Sequence, residues 1–223
     1  LDRTKEPGSS GEPLYLDVVN SLKDRNIKII GGRYGLSSKN TTPSIIKAVY
    51  DNLNGEMKNS FTIGINDDVT NLSLDFDDDF KIDNNTYQML IYGYGSDGMV
   101  STSKDILRII GDNTKKYVQG YFQYDSKKSG GVTRSHIRIG NTPIRSSYYV
   151  DNPNFIVVSK DSYMYKYNIL DNIREGGTLL LNTNLSSDDL IRSLPNKVKY
   201  LLALKNVNVY TIDAYKVAGE MGL

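Results

Sequence analysis

Residues 89–110 have the sequence MLIYGYGSDGMVSTSKDILRII, in which a short apolar run ends at a glycine-rich turn and an amphipathic segment begins. This order predicts a strand, a turn and a helix. Gly93, Gly95 and Gly98 have Gly-x-Gly-x-x-Gly spacing, which lets the backbone approach a phosphate and directs the first amides of the helix towards it. The stretch therefore predicts an anion-binding turn. The alternative is a glycine-rich turn that serves packing alone.

Strand and helix patterns alternate on both sides of this turn. Before it, Thr42 and Pro43 form a helix start ahead of residues 44–53, and residues 60–66 alternate like a strand. After it, residues 115–124 and 154–160 are predicted strands. This alternation predicts an α/β fold with two lobes, each a mainly parallel sheet flanked by helices, and a Rossmann-like glycine-rich turn in the second lobe.

Three further elements follow from local patterns. Pro13 starts a predicted helix that continues to about Arg25, with its leucines and valines on a buried side. IRSSYYV, residues 144–150, is predicted to continue the strand that begins with SHIRIG. YMYKYNILDNI, residues 163–173, is predicted to form one helix.

Aspartates crowd into residues 71–85, NLSLDFDDDFKIDNN. Clustered like charges resist burial, so we predict a solvated linker between two domains, 1–75 and 76–223. A calcium-binding loop is the alternative, but the glycine and terminal glutamate of the EF-hand pattern are missing.

Composition narrows the possible functions. Lys and Arg total 27 against 26 Asp and Glu, so no overall charge favours nucleic acid or an anionic membrane. The absence of cysteine excludes disulfides, a cysteine nucleophile and iron–sulfur ligation by this chain. No apolar run approaches the roughly 18 residues of a membrane span. We expect a soluble protein and, because Leu1 stands where a start methionine would, a piece of a longer polypeptide.

Charged residues after the predicted strand 115–124 are candidates for a nucleotide contact. Asp125 lies near the place where NAD-binding folds hold the ribose hydroxyls. Lys127 and Lys128 would suit a phosphate monoester better, which fits both coenzyme A and NADP. The alternative is that both are solvated surface lysines.

Other polar candidates are weaker. His136 lies in a predicted strand without a second ligand-type residue at suitable spacing, so we expect a structural role. Polar residues directly after strands are where α/β folds keep ligand contacts, but each is equally suited to cap a helix. These residues are Ser159, Asn182, Thr183 and Asp213.

Several long runs resemble an internal region of the pyruvate:ferredoxin (flavodoxin) oxidoreductase family, and also the same module in fusions that pass electrons to NADP. The family's enzyme decarboxylates pyruvate oxidatively and joins the acetyl unit to coenzyme A. The resemblance implies that residues 1–75 are the end of a transketolase-C-terminal-like domain and 76–223 most of a gamma-type domain. The runs include RTKEPGSSGEPLYLDV, GGRYGLSSKNTTP, IREGGTLLLNT, YTIDAYKVAGEMGL and YGYGSDGMVSTSKDILRIIGDNTKKYVQGYFQYDSKKSGGVTRSHIRIG.

The resemblance implies part of a coenzyme A site and no catalytic or metal-binding residue in this chain. Met99 stands where threonine is usual, which removes a side-chain hydroxyl but keeps the backbone amide. The implied coenzyme A residues are Gly95, Ser96, Asp97, Gly98, Met99 and Lys127.

The same resemblance places thiamine diphosphate, Mg²⁺ and the [4Fe-4S] clusters in other domains of the parent enzyme. It implies ferredoxin, flavodoxin or an NADP-reductase module as electron acceptor, a homodimeric full-length enzyme, and a cytoplasmic location with a hydrogenosome-type organelle as the alternative. We therefore expect a non-catalytic part of an oxidoreductase. A stand-alone NADP-binding reductase domain and a purely structural assembly module are the other hypotheses.

Overall fold

The computed structural model of the protein describes residues 1–5, 8–67, 69–82, 85–125 and 131–222. It divides into two compact units, Leu1–Asp83 and Asn84–Leu223. Within the described ranges, none of the helices has the length and apolar character needed to span a membrane.

The first unit is built around a small parallel sheet. Its strands pair in the order β1–β2–β3, and both pairings are parallel. A short 3-10 helix, Leu36–Ser38, follows the first strand. The helices and strands are α1 (Pro13–Ser21), β1 (Gly32–Arg33), α2 (Pro43–Asn54), β2 (Phe61–Ile63) and β3 (Ser73–Leu74).

Helix α2 begins where the sequence predicts it. The Thr42 hydroxyl accepts a hydrogen bond from the Ile45 amide at 3.3 Å, and Pro43 occupies the first turn. Buried apolar side chains of α2 and the sheet then form the core of this unit: Ile45, Ala48, Phe61, Ile63 and Leu74. Helix α1 departs from the prediction, because it ends at Ser21 and buries none of its residues fully.

The second unit contains a six-stranded mixed sheet. Its strands are β4 (Tyr87–Tyr94), β5 (Tyr117–Tyr124), β6 (Val132–Gly140), β7 (Phe155–Val158), β8 (Thr178–Asn182) and β9 (Asn208–Ile212). Its helices are α3 (Met99–Asn113), α4 (Tyr163–Lys166), α5 (Ser187–Ser193), α6 (Asn196–Leu204) and α7 (Ala214–Glu220).

The strand order is β5–β6–β4–β7–β8–β9. The pairs β4–β7, β7–β8 and β8–β9 are parallel. Strand β6 is antiparallel to both β4 and β5, so β5 runs in the same direction as β4 with β6 inserted between them. The predicted α/β class with mainly parallel sheets is confirmed. The crossover through α3 differs from a Rossmann unit, in which the two parallel strands are direct neighbours.

Apolar side chains cover both faces of this sheet. On one face, Met89, Ile91 and Ile137 pack with residues of α3, including Ile106 and Leu107. The larger core on the other face includes side chains from β7, β8 and the segments around α4, α5 and α6. The sheet thus holds the carboxyl ends of β4, β7, β8 and β9 at one edge, where parallel strands of α/β folds place their ligand contacts.

Two local predictions are wrong. Residues 144–150 form no strand, because their backbone groups bind side chains of β6: the Val150 amide donates to His136 Nδ1 and the Tyr149 carbonyl accepts from Arg138. The helix predicted for 163–173 ends at Lys166. Lys205 Nζ binds the carbonyls of Leu170, Asp171 and Ile173, which supports a non-helical path there.

Candidate ligand-binding site at the glycine-rich turn

Strand β4 ends at Tyr94 and helix α3 begins at Met99, so the predicted strand, turn and helix are present. Two glycines have different tasks. Gly98 has φ 79°, a left-handed conformation that glycine adopts without strain. A Cβ on Gly93 would lie 2.6 Å from Thr133 Oγ1 and 2.8 Å from Met99 Cβ, so Gly93 permits close packing of the helix start.

The Asp97 carboxylate ties the turn together. Its Oδ2 accepts from the Tyr94 amide at 2.6 Å, and its Oδ1 accepts from the Met99 amide at 3.0 Å. The Ser159 hydroxyl donates to Oδ2 at 2.7 Å. A negative charge at the start of α3 is also favoured by the helix dipole. Asp97, although exposed, therefore fixes the shape of the turn, and it occupies the Met99 amide that the resemblance had assigned to a ligand.

The turn lines a cavity of about 480 Å³, named here the turn cavity. Gly95 and Asp97 amides already donate to the carbonyls of Gly131 and Tyr94. Other amides at the turn have no acceptor among the described residues, as expected for the first turn of a helix. These are the amides of Ser96, Gly98, Val100 and Ser101, all residues that line the turn cavity.

The opposite wall of the turn cavity comes from the ends of β5 and β6. It includes Tyr124, Asp125 and Thr133. A Cβ on Gly131 would lie 2.7 Å from Asp125 Cβ, so this glycine lets the two backbones approach. The structure thus brings Asp125 to the glycine turn, although β6 separates the two strands. Lys127 and Lys128 lie outside the described residues.

A second cleft, named here the strand-end cleft, has a volume of about 630 Å³ and shares Tyr94 and Asp97 with the turn cavity. All four polar residues predicted at strand ends line it: Ser159, Asn182, Thr183 and Asp213. They also support the fold. Asn182 donates to the Ser159 carbonyl at 3.0 Å and accepts from the Ala214 amide at 2.9 Å, and Asp213 caps α7 by accepting from the Lys216 amide at 3.0 Å.

Lys160 and Lys216 also line the strand-end cleft. Lys160 Nζ lies 4.7 Å from the centre of the Tyr94 ring. The sequence does not single out either lysine, because Lys160 directly follows Ser159 and Lys216 lies three residues after Asp213, and each looks like any surface lysine. Only the alignment of neighbouring strand ends places them together.

His136 is buried on the face of β6 opposite Ile137 and lies outside both clefts. Its Nδ1 accepts from the Val150 amide at 3.1 Å, and its ring stacks on Tyr149 with 4.7 Å between centres. Burial lowers the pKa of His136 to about 4, and the charges of Arg138 and Arg134 act in the same direction. Its contacts are those of a structural histidine.

Among the described residues, no group of three or more His, Cys, Asp or Glu side chains is placed to hold a metal ion. The sequence contains no cysteine, so it offers no thiolate to an iron–sulfur cluster. These side chains do not fit the metal cofactors that the resemblance assigns to the parent enzyme.

Comparison with known proteins gives concordant matches. The sequence model of one family, described as pyruvate ferredoxin/flavodoxin oxidoreductase, matches residues 88–223. The chain is 50% identical to pyruvate-flavodoxin oxidoreductase of Trichormus variabilis over 230 residues, which cover 100% of this chain and 19% of the relative. It is 49% identical to pyruvate:ferredoxin oxidoreductase of Moorella thermoacetica, again over 100% of this chain and 19% of the relative.

Among solved structures, one match is the pyruvate oxidoreductase subunit PORC of Thermotoga maritima. Its TM-score is 0.46 at 22% identity, covering 60% of this chain and 65% of that chain. The chain spans only about a fifth of the length of the two curated relatives described above, although both match it over its whole length.

Proposed function

Because this chain belongs to the pyruvate ferredoxin/flavodoxin oxidoreductase family, we propose that it works as part of an enzyme that oxidatively decarboxylates pyruvate and transfers the acetyl unit to coenzyme A. Its own task in this proposal is to bind part of coenzyme A at the turn cavity. Identity of 49% to 50% over the whole chain supports the assignment to an enzyme with the relatives' substrate.

The observation that carries the coenzyme A proposal is the set of amides without a described acceptor. Ser96, Gly98, Val100 and Ser101 contribute these amides to one cavity at the start of α3. Oriented backbone amides and the positive end of a helix dipole together favour a phosphate group. We assign this position to the diphosphate of coenzyme A.

The residues proposed for the site act in different ways. Gly95 and Gly98 allow the backbone to approach the ligand, and Ser96 and Gly98 offer amides to it. Asp97 positions the turn, while Met99 packs its side chain against the core beside α3. Lys127, which lies outside the described residues, is proposed to pair with a phosphate of the same ligand.

The chain is proposed not to be catalytic by itself. The iron–sulfur clusters would be held by other parts of the enzyme, since this sequence has no cysteine. Thiamine diphosphate with Mg²⁺ would be held there as well, as the resemblance implies. Those parts would also contact ferredoxin, flavodoxin or an NADP-linked reductase, and the complete enzyme would be a cytoplasmic homodimer. The proposed division into two domains receives support from the separate compactness of Leu1–Asp83 and Asn84–Leu223, which divide after residue 83 and not at the proposed 75/76 boundary.

Calorimetric titration of the chain with coenzyme A and, separately, with NADP tests this function. Binding of coenzyme A in preference to NADP is the expected result. Preference for NADP would favour a reductase domain instead, and binding of neither would leave a structural role in assembly.

A further inference from the structure

The strand-end cleft has features of a binding site that the turn cavity alone does not provide. It lies where β4, β7, β8 and β9 end, next to the glycine turn, and it shares Tyr94 and Asp97 with the turn cavity. A ligand seated on the turn can therefore extend past Asp97 into the strand-end cleft.

Two ammonium groups, those of Lys160 and Lys216, line this cleft together with three carboxylates. Among the described residues, neither Lys160 nor Lys216 has a carboxylate partner within ion-pair distance. The Lys160 ammonium lies against the face of the Tyr94 ring, a cation–π contact that leaves its hydrogen-bond donors available. Both side chains are exposed, and their long stems allow the charges to reach a ligand.

The carboxylates of the cleft are engaged with the protein. Asp97 accepts from two amides and from the Ser159 hydroxyl. Asp161 accepts from the Thr183 hydroxyl at 3.3 Å, and Asp213 accepts from the Lys216 amide. Each of these three carboxylates thus has a protein donor, whereas the ammonium groups of Lys160 and Lys216 have no carboxylate partner among the described residues and remain available to an anion.

We propose that Lys160 and Lys216 bind the 3′-phosphate of coenzyme A in the strand-end cleft, while the diphosphate occupies the turn cavity. This inference rests on the proposed function. Coenzyme A carries these two anionic groups on one ribose, the diphosphate at the 5′ carbon and the monoester at the 3′ carbon. Two adjoining clefts match that arrangement.

The aromatic side chain of Tyr215 also suits the strand-end cleft to a nucleotide. Tyr215 is 86% exposed and lines the strand-end cleft next to Lys216. Its ring offers a flat surface of the kind on which nucleobases stack. The cleft thus combines a phosphate-binding pair with a surface for the adenine that the same ribose carries.

The test compares coenzyme A with 3′-dephospho-coenzyme A by calorimetric titration of three forms of the chain. The parent should bind coenzyme A about 10-fold more tightly than the dephospho compound, as roughly expected for two exposed charge pairs. The variant Lys160→Met/Lys216→Met should lose this preference and retain its affinity for the dephospho compound. Lys115→Met, which replaces an exposed lysine two residues beyond the end of α3, should behave like the parent.

The titrations distinguish failure of the Lys160 and Lys216 assignment from failure of coenzyme A binding itself. Equal affinity of the parent for both compounds, or an unchanged preference in the double variant, would overturn the assignment of Lys160 and Lys216 while leaving the turn cavity as a coenzyme A site. Failure of the parent to bind coenzyme A at all would overturn the proposed function together with this inference.

Discussion

The Ser159 hydroxyl donates a hydrogen bond to Asp97 Oδ2 over 2.7 Å, which joins the residue after β7 to the turn between β4 and α3. The same oxygen accepts from the Tyr94 amide. Because β4 and β7 are parallel neighbours, their ends meet at one edge of the sheet. The contact therefore builds the wall that the turn cavity and the strand-end cleft share.

Replacing Asp97 should destabilise the turn between β4 and α3 locally. In Asp97→Asn the amide oxygen can serve only part of the three donors that the carboxylate now serves. We expect a loss of about 1–2 kcal/mol in the free energy of local opening, in line with an exposed, charge-assisted cap. Hydrogen exchange of the β4 amides under native conditions measures this loss.

Asp105→Asn is the matched control for that substitution. Asp105 is an exposed carboxylate on α3 that pairs with Arg108 one turn away, and such pairs contribute less than about 0.5 kcal/mol. Equal protection of β4 in both variants would show that Asp97 does not hold the turn.

Gly93→Ala tests the packing at the start of α3. The added methyl would lie 2.6 Å from Thr133 Oγ1 and 2.8 Å from Met99 Cβ, so β6 or α3 must move. We expect a cost of roughly 1–3 kcal/mol, as for overpacking in other interiors. Urea unfolding followed by NMR signals of β4 should show it.

The control, Gly219→Ala, places a methyl group in open space on α7. This change should be neutral or slightly stabilising, because alanine favours helices. If Gly93→Ala proves as harmless as Gly219→Ala, the close approach of β4, β6 and α3 is not required.

His136 should make stability depend on pH. Its folded-state pKa of about 4 lies below its ordinary value of about 6.5, so the unfolded chain binds more protons between these values. The contribution of neutral His136 to the free energy of unfolding is therefore fully present above pH 6.5. It is lost as the pH falls towards 4, by roughly 3 kcal/mol at most. Urea unfolding at pH 7 and pH 4.5, followed by NMR signals of β6, measures this fall.

His136→Phe keeps an aromatic ring beside Tyr149 and removes the titrating group. The variant should lose less stability than the parent over the same pH interval, with carboxylate titration common to both. An identical pH dependence in the two proteins would mean that folding does not lower the pKa of His136.

The local elements around the glycine turn follow from short-range patterns. Glycine spacing and the apolar period of α3 predict the strand, turn and helix, and Thr42 with Pro43 predicts the start of α2. The insertion of β6 between β4 and β5 was not predictable in this way, because strand order depends on contacts between residues far apart in sequence.

The failures at residues 144–150 and 163–173 have the same origin. Buried side chains of β6 occupy backbone groups of the first segment, and Lys205 binds carbonyls of the second. In the candidate site, too, contacts between residues far apart in sequence could not be predicted. The turn residues stand out in the sequence, whereas Lys160 and Lys216 become neighbours only when the strands align.

Lys127→Ala should weaken coenzyme A binding through loss of one phosphate contact. A charge-assisted hydrogen bond contributes roughly 1.5–3 kcal/mol, equivalent to an affinity loss on the order of 10- to 150-fold. High salt should reduce the difference if the lysine is exposed. Lys128→Ala is the control and should lose less. Parent-like affinity in both variants would identify the pair as solvated surface lysines.

The most direct measurement is an NMR titration of the chain with coenzyme A that follows the backbone amides of Ser96, Gly98, Val100 and Ser101. Binding of a phosphate at the turn predicts large, saturable shifts at these amides, with little change at the far end of α3 near Asn113. NADP should give no comparable shifts. Coenzyme A that leaves the four amides unchanged, or that shifts them no more than NADP does, would contradict the turn cavity as the coenzyme A site.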